Sequence, residues 1–506
     1  DNYRIVEKTE KIASEPDNTN SIDILSNTEK LKYYNEYGAF SEDGKEYIIK
    51  INKENKTPTT WSHIIANEKF GTVVTEGMGG YTWYKNCRLN RLTAWNNNQV
   101  TDVPSEVIYL EDMDTKKIWS LGVNPTPDNN DYYITYGWGY SKYLHTSNGI
   151  LQDLKVFVPK EDSTKIQILH LENKLAKRKK LKIIYYVKPV LDEDEIKSNG
   201  YIDLKYNENT NIITLQNQTK ELKDRTIMYI TCSEKIESYT GSKEFFIGKG
   251  TIKNPEGIRK LELDRSNTLG KNEIVAIEFK INLEAFERKD VVITLGADIN
   301  NLNMQDTAYK YQNTSNAISE YESTKRYWKE LLDNIKVETP LESMNILLNG
   351  WLLYQTMCSR MLAKSGYYQS GGAFGFRDQL QDCIGLKYIS ADILKNQILK
   401  HSEHQFIEGD VEHWWHEETK RGIRTRFSDD LLWLPYLVAE YINYTGDYGI
   451  LEERTHYLKG AILEHGVDER YDLYLPSEEC ESIYMHCIRA IEKSFEFGEN
   501  GLPKIG

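Results

Sequence analysis

The chain has 506 residues, 28% of them charged and 39% hydrophobic, and its formal net charge at pH 7 is −14. This length predicts two or three domains, because a single hydrophobic core rarely extends so far. The excess of 77 acidic over 63 basic side chains argues against a nucleic-acid binder, which would need clustered Lys and Arg. An acidic surface that favours solubility is the simplest interpretation.

The six cysteines are scattered and contain no CxxC pair, so neither a zinc site nor a disulfide scaffold is predicted. The first residues, DNYRIVEKTE, lack the charged-then-apolar pattern of a signal peptide. No apolar run approaches the length of a membrane span. We therefore expect a cytoplasmic protein with reduced thiols and no membrane contact.

The first half of the chain has the pattern of an all-β domain. Residues 1–36 are polar and are predicted to be a connector or N-terminal extension. Residues 37–300 contain short alternating or β-branched runs separated by Asn, Asp, Gly and Pro turns. So many strands without helices between them predict a large antiparallel β-sandwich. The clearest predicted strands are Glu46–Ile51, Lys155–Val158, Lys165–His170, Leu181–Val187, Glu273–Phe279 and Val291–Leu295.

The periodicity changes from strand-like to helical after residue 300. Spaced aromatic and leucine residues among charges in 306–335 predict an amphipathic helix or a helix pair, which forms a helical linker over 301–337. Residues 338–506 are predicted to be the first part of a helical array. Its predicted helices are Leu341–Ser365, Gln379–Lys400, Asp429–Tyr444 and Tyr448–Glu464.

The motif YYQSGGAFGFRDQLQD, residues 367–382, is the densest candidate site. Its glycines let the backbone approach a ligand closely, and polar side chains follow at the start of a predicted helix. Asp378 and Gln379 could bind a ligand, and Asp378 could equally be a helix cap. For Arg377 with Asp382, ligand binding is the better interpretation, because such charged groups are costly to keep unpaired.

The motif EGDVEHWWH, residues 408–416, places two histidines three residues apart between carboxylates, as metal ligands could be. Trp414 and Trp415 next to His413 fit a sugar platform better, because an aromatic ring offers an apolar face with a polar edge. The chain is also rich in Tyr and Trp, with 35 and 10 against 13 Phe. No HExxH motif or Cys partner supports a metal, and we expect none.

The motif KRGIRTRFSDDLLWLP, residues 420–435, has two interpretations of equal weight. Asp429 and Asp430 could simply begin a helix. Together with Trp433 they could also bind sugar hydroxyls. Arg424 and Arg426 are candidate phosphate contacts, and a solvated basic loop is the alternative.

Taken together, these motifs resemble glycoside hydrolase family 94. That family includes inverting cellobiose, chitobiose and 1,2-β-oligoglucan phosphorylases and the phosphorylase-like domain of cyclic β-1,2-glucan synthases. In the first half the resemblance lies in WSHIIAN, FGT, GGYTW, NCRLNRL and LTAWN, within residues 61–96. The sequences RTRFSDDLLWLPY and VTDVPSE are more similar to those of the 1,2-β-glucan members. The resemblance implies a β-sandwich, a helical linker, an (α/α)6 barrel and a small C-terminal β domain.

The resemblance also implies roles for particular residues. Arg377 and Asp382 match positions that hold the donor glucosyl unit, and the aromatic residues of HWWH and Trp433 fall near the barrel mouth. The general acid of the family is an Asp in a motif that follows a sequence similar to FGENGLPKIG, residues 497–506. We therefore expect this acid just after Gly506 and no catalytic residue within the chain. No cofactor is implied; inorganic phosphate is the co-substrate, and a homodimer is one expectation.

The predicted function is that of an inverting glycoside phosphorylase, which reversibly cleaves β-linked gluco-oligosaccharides, with β-1,2-glucans favoured, to give α-glucose 1-phosphate. One protonated carboxyl donates to the leaving oxygen, and phosphate attacks from the opposite face without a base. An inverting hydrolase, which would need a base carboxylate, and a cyclic β-glucan synthase domain are alternatives on the same barrel. A non-catalytic carbohydrate-binding fragment is the alternative of another class.

Overall fold

The computed structural model describes residues 30–222, 225–267 and 273–504. Strands dominate as far as Asp298, and helices dominate after it. Most of the predicted connector, residues 1–29, lies outside the described residues.

Among its described residues, the sheet-rich part contains three antiparallel sheets and two short α-helices, α1 (Glu195–Ser198) and α2 (Lys243–Ile247). Its strands are β1 (Gly38–Phe40), β2 (Glu46–Ile51), β3 (Ser62–Ala66), β4 (Phe70–Thr75), β5 (Gly80–Tyr84), β6 (Arg91–Thr93), β7 (Glu106–Asp112), β8 (Ile118–Ser120), β9 (Tyr132–Gly137), β10 (Tyr140–Ser147), β11 (Ile150–Phe157), β12 (Thr164–Asn173), β13 (Lys179–Val187), β14 (Pro189–Asp192), β15 (Ile202–Asn207), β16 (Ile212–Asn217), β17 (Ile227–Cys232), β18 (Ser238–Ser242), β19 (Glu273–Leu283) and β20 (Arg288–Asp298).

The sheets pack through one large apolar core. The ten-stranded sheet has the order β1-β2-β9-β10-β11-β12-β20-β17-β16-β15, and the five-stranded sheets are β18-β19-β13-β7-β8 and β14-β6-β5-β4-β3. Leu154, Leu169 and Val291 lie side by side on three neighbouring strands and are fully buried. Ile183 and Phe279, paired in the second sheet, belong to the same core. All six predicted strands are confirmed.

The linker is a helix pair, α3 (Asn301–Gln312) and α4 (Thr314–Leu332). Asn300 and Asn313 begin the two helices, and their side-chain oxygens accept from backbone N–H groups of the first turn, as expected of N-cap residues. Trp328 of α4 is buried in the sandwich core. The predicted helix pair is confirmed, and its packing fixes the sandwich against the helical domain.

The C-terminal part combines helices with two small sheets. Its regular helices are α5 (Glu342–Ile346), α6 (Leu352–Gln355), α7 (Phe376–Leu386), α8 (Ala391–Ser402), α9 (Trp433–Thr445) and α10 (Ile483–Lys493). A wide helical turn at Leu347–Trp351 joins α5 to α6, and a second at Thr356–Leu362 continues α6, so that the four form one kinked helical segment. The strands are β21 (Phe374–Gly375), β22 (Glu412–His416), β23 (Arg421–Thr425), β24 (Arg454–Lys459), β25 (Glu469–Leu473) and β26 (Leu475–Ser482).

Two predicted helices differ from the structure. The predicted helix Tyr448–Glu464 is wrong, because a 3-10 turn over Tyr448–Glu452 leads into β24, which pairs with β26. The predicted helix Gln379–Lys400 is divided between α7 and α8. The predicted fold class, an antiparallel sandwich followed by a helical domain, is confirmed. No helix in the described ranges is long and apolar enough to cross a membrane.

Candidate functional site

The Gly-rich loop, residues 366–375, connects the kinked helical segment to α7 and is tied down along its backbone. Gly372 N donates to the Lys364 carbonyl at 3.0 Å. The Gly371 carbonyl lies 3.0 Å from His416 Nε2. Gly372 has a φ of +65°, a conformation that favours glycine over residues with a Cβ. The loop is therefore held by Lys364, two residues before it, and by His416 of β22.

Gln379 fixes the start of α7 from inside the protein. Its Oε1 accepts from Gly375 N at 2.7 Å, and its Nε2 donates to the Arg360 carbonyl at 3.3 Å. The residue is 2% exposed. The structure contradicts the predicted substrate contact of Gln379, because its amide is buried and already bonded within the protein.

Arg360 brings together two of the predicted carboxylates. Its Nε donates to Asp382 Oδ2 at 2.7 Å, and its Nη2 lies 3.8 Å from Asp378 Oδ1. Burial raises the pKa of Asp382, and the Arg360 guanidinium opposes that rise. Sequence reasoning missed Arg360; the available signal was that Arg360 is the one charged residue between Glu342 and Lys364.

Arg377 connects the start of α7 to the start of α9. Its Nη1 donates to Asp429 Oδ2 at 3.0 Å. Its guanidinium also lies over the Trp433 ring, 5.4 Å from the ring centroid, as a cation–π contact. Both side chains of the Arg377–Asp429 pair are about half exposed, at 49% and 52%. Three predicted site residues thus meet at one accessible surface.

His413 joins this surface from β22. Its Nδ1 lies 2.6 Å from Asp430 Oδ2, and that hydrogen bond raises the pKa of His413. The charges of Asp378 and Asp429 raise the pKa of His413 further. The carboxylates of α7 and of the turn before α9 therefore act on the same imidazole.

The two tryptophans of HWWH face different environments. Trp415 is fully buried and stacks on His404, with ring centroids 3.8 Å apart, and on Phe374 at 5.5 Å. The structure contradicts a sugar-contacting role for Trp415, because neither face of its ring is accessible. Trp414 is only partly buried and packs against Tyr471 at 5.5 Å, and its sugar contact stays a prediction.

A buried His–Glu pair lies behind Trp415 and was not predicted. His404 Nδ1 is 2.5 Å from Glu412 Oε2. Burial raises the pKa of Glu412 to about 8 and holds the pKa of His404 well below its usual range. The raised pKa of Glu412 and the lowered pKa of His404 both favour the neutral forms, so the carboxyl of Glu412 donates its proton to the imidazole nitrogen of His404. Glu412 and Trp415 are three residues apart on β22 and both are buried, so the simple alternation of a strand does not predict this pair.

The predicted phosphate contacts are engaged elsewhere. Arg424 is 1% exposed and donates to Asp410 at 2.6 Å through both Nε and Nη2, with a further bond to Glu408 at 3.0 Å. Arg426 donates to backbone carbonyls within residues 463–467. The structure contradicts a phosphate role for Arg424, because its guanidinium is already neutralised. Arg426 is bonded to the chain itself, and its phosphate contact stays a prediction.

The histidines of HWWH do not converge on a metal. His413 faces Asp430, whereas His416 faces the Gly371 carbonyl. Across residues 30–222, 225–267 and 273–504, no group of three or more His, Cys, Asp or Glu has a metal-binding arrangement.

One surface, which we call the polar patch, therefore gathers most of the predicted site residues. Its cationic and carboxylate groups offer both donors and acceptors to a ligand rich in hydroxyls, and Trp433 adds an aromatic face. The polar patch consists of Arg360, Arg377, Asp378, Asp382, His413, Asp429, Asp430 and Trp433.

The chain is similar to known proteins over more than nine tenths of its length. The chain is 31% identical over 481 residues to the cyclic beta-(1,2)-glucan synthase NdvB of Rhizobium meliloti (strain 1021), covering 94% of this chain and 17% of that protein. It is 24% identical to the N,N'-diacetylchitobiose phosphorylase of Vibrio furnissii, covering 92% of this chain and 60% of that protein. The chain thus spans less than two thirds of the length of each of these relatives.

A solved structure from the human microbiome that is named as a kojibiose phosphorylase shares the fold, with a TM-score of 0.50 at 11% identity over 84% of this chain and 59% of the other. The sequence profile of the glycosyl hydrolase 94 supersandwich domain matches residues 45–314. The profile of the glycosyl hydrolase 94 superfamily catalytic domain matches residues 327–506. The chain therefore belongs to glycosyl hydrolase family 94.

Proposed function

We propose that the complete protein is an inverting glycoside phosphorylase that cleaves β-linked gluco-oligosaccharides with phosphate and releases α-glucose 1-phosphate. The observation that carries this proposal is the polar patch beside the Gly-rich loop. Arg360 and Arg377 there are paired with Asp382 and Asp429 in a chain of glycosyl hydrolase family 94. The Arg377–Asp429 pair is half-exposed and Asp382 is partly exposed, so these groups can exchange a partner for sugar hydroxyls at modest cost.

The proposed chemistry separates binding from proton transfer. Asp382 and Arg377 orient the donor sugar by accepting from and donating to its hydroxyls, and Trp433 supports the ring. Protonation of the leaving oxygen is assigned to an Asp that follows residues 497–506 in the complete protein. Phosphate attacks from the opposite face, so the polar patch need not supply a base.

β-1,2-Linked glucans are the proposed substrate class. The support is the 31% identity to a protein named as a cyclic beta-(1,2)-glucan synthase, against 24% to a chitobiose phosphorylase. The same identity makes a glucan synthase domain the second candidate. A synthase domain would rearrange β-1,2-glucan without consuming phosphate.

The test uses the complete protein with β-1,2-, β-1,3- and β-1,4-linked gluco-oligosaccharides, each with and without inorganic phosphate. We expect glucose 1-phosphate to appear only with phosphate, and fastest from the β-1,2 series. Free glucose released without phosphate would identify a hydrolase instead. Glucan of altered size with no phosphate consumed would favour the synthase.

A further inference from the structure

Asn86, in the turn between β5 and β6 of the sandwich, reaches across to the catalytic domain. Its Nδ2 donates to the Gly372 carbonyl at 2.9 Å and to Glu418 Oε2 at 2.8 Å. Asn86 is 1% exposed. One side chain of the sandwich is therefore bonded both to the Gly-rich loop and to the hairpin between β22 and β23.

The orientation of the Asn86 amide is fixed by its own turn. Its Oδ1 accepts from the backbone N–H groups of Arg88 and Leu89, both at 3.0 Å. The oxygen must therefore face the sandwich, and both amide hydrogens must face the catalytic domain. Oδ1 also lies only 2.2 Å from the place where a Cβ on Gly372 would stand. The contact is complementary in shape as well as in hydrogen bonding.

Asn86 acts close to the polar patch. Gly372 is five residues before Arg377, and the intervening Gly375 is bonded to α7 through Gln379. A shift of the Gly372 peptide would therefore move the start of α7, which carries Arg377 and Asp378.

We propose that Asn86 is a positioning residue of the reaction, through which the sandwich sets the shape of the Gly-rich loop. This inference rests on the proposed function, because it assumes that the polar patch binds the sugar. It makes the sandwich part of the catalytic unit, although no sandwich residue need touch substrate. A displacement of about 1 Å in such a positioning element can lower the rate by about a hundredfold.

The experiment compares Asn86→Ala with Asn90→Ala in the complete protein. Asn90 is a matched control, because its Nδ2 also donates two hydrogen bonds, to the Tyr84 carbonyl at 3.1 Å and to Thr226 at 2.9 Å, but both partners are in the sandwich. Backbone hydrogen exchange of the Gly-rich loop and kcat/KM for phosphorolysis are measured for each variant. Asn86→Ser, which keeps an acceptor for the turn, replaces Asn86→Ala if that variant does not fold.

We expect Asn86→Ala to speed exchange at the amides of Gly372 and Gly375 and to lower kcat/KM by about a hundredfold. The Asn90→Ala variant should leave both at wild-type values. Equal exchange of the loop in the two variants, or faster exchange with unchanged kcat/KM, would overturn the inference. If the wild type shows no phosphorolysis, the proposed function fails. Faster hydrogen exchange of the Gly-rich loop in Asn86→Ala, but not in Asn90→Ala, would then still support the Asn86 contact.

Discussion

Arg360 Nε donates to Asp382 Oδ2 at 2.7 Å, so the helical segment before the Gly-rich loop is bonded to the helix after it. The ion pair joins the two segments that flank the Gly-rich loop, and both side chains remain accessible, at 46% and 22% exposure. A sugar hydroxyl can therefore reach Asp382 without any rearrangement of the loop.

Replacing Asp382 should lower activity through the loss of a sugar contact and not through a loss of folding. Asp382→Ala in the complete enzyme is expected to lower phosphorolysis by about a hundredfold or more, because a carboxylate acceptor for the donor sugar is lost. Steady-state kinetics with phosphate and β-1,2-gluco-oligosaccharide measure this effect. Asp392→Ala, at an exposed position in the first turn of α8, is the control. Wild-type turnover in Asp382→Ala would remove the residue from the site.

Glu412 should make stability fall as the pH rises. The unfolded chain releases this proton near pH 4.5, but the folded protein retains it until about pH 8 because the carboxyl is buried. The unfolded state therefore binds fewer protons in that window, and stability is lost as pH rises through it. Glu412→Gln removes this contribution, roughly 5 kcal/mol over the full window. Urea unfolding at pH 5 and pH 8 measures it.

The Glu412→Gln variant should therefore gain stability relative to the wild type as the pH rises. Its amide can still donate to His404 Nδ1, so the hydrogen bond itself is kept. Parallel stability curves for the two proteins would show that Glu412 is ionised in the folded state.

Whereas burial favours the neutral form of His404, the hydrogen bond to Asp430 favours the protonated form of His413. Its hydrogen bond to Asp430 raises its folded pKa above 6.5, so its stabilising contribution is complete below pH 6.5 and is lost as pH rises through the raised value. The melting temperature of His413→Gln should therefore fall below that of the wild type more at pH 6 than at pH 8.5. His456→Gln, at an exposed position on β24, is the control. An equal deficit at both pH values would contradict this.

The sandwich could be predicted because its signal is local. Alternating and β-branched residues with turn residues between them mark strands wherever they pair. The strand β24 could not be predicted in this way, because it depends on pairing with β26, about twenty residues later. The aromatic and leucine residues of 448–464 have a mixed spacing that also fits a helix, but pairing with β26 makes part of this segment a strand.

The site could be predicted only in part for a related reason. The motifs single out Arg377, Asp429 and Trp433, which the structure brings together, but which tryptophan of HWWH is buried depends on a register shift between Glu412 and Trp414. Such a bulge is set by the neighbouring strand and not by the residues of β22 alone.

Arg424 should be a stability residue and not a phosphate ligand. Replacing it by Met leaves the partly buried Asp410 and Glu408 without their cationic partner, which is expected to cost about 1 to 3 kcal/mol. Urea unfolding measures this, with Arg421→Met, on the exposed end of the same strand, as the control. A stable Arg424→Met variant with a strongly raised KM for phosphate would restore the phosphate role.

Gly372 and Gly371 offer the sharpest comparison within the Gly-rich loop. Gly372→Ala forces a residue with a Cβ to adopt a φ of +65° and places that Cβ 2.2 Å from Asn86 Oδ1, so the loop must move. Gly371→Ala adds a Cβ that meets nothing within 4 Å. We expect Gly372→Ala to lose about 1 to 3 kcal/mol of stability and most of its phosphorolysis, because strain of this kind is relieved only by displacing the peptide.

Gly371→Ala should stay near wild type in both measurements if the loop itself is the constraint. Thermal unfolding and kcat/KM on the two variants check this. A similar loss of kcat/KM in the two variants would mean that substrate, and not the Asn86 contact, limits the space around the loop, because the added methyl of Gly371→Ala meets no protein atom. Full activity in Gly372→Ala would instead show that the loop can change shape without moving Arg377.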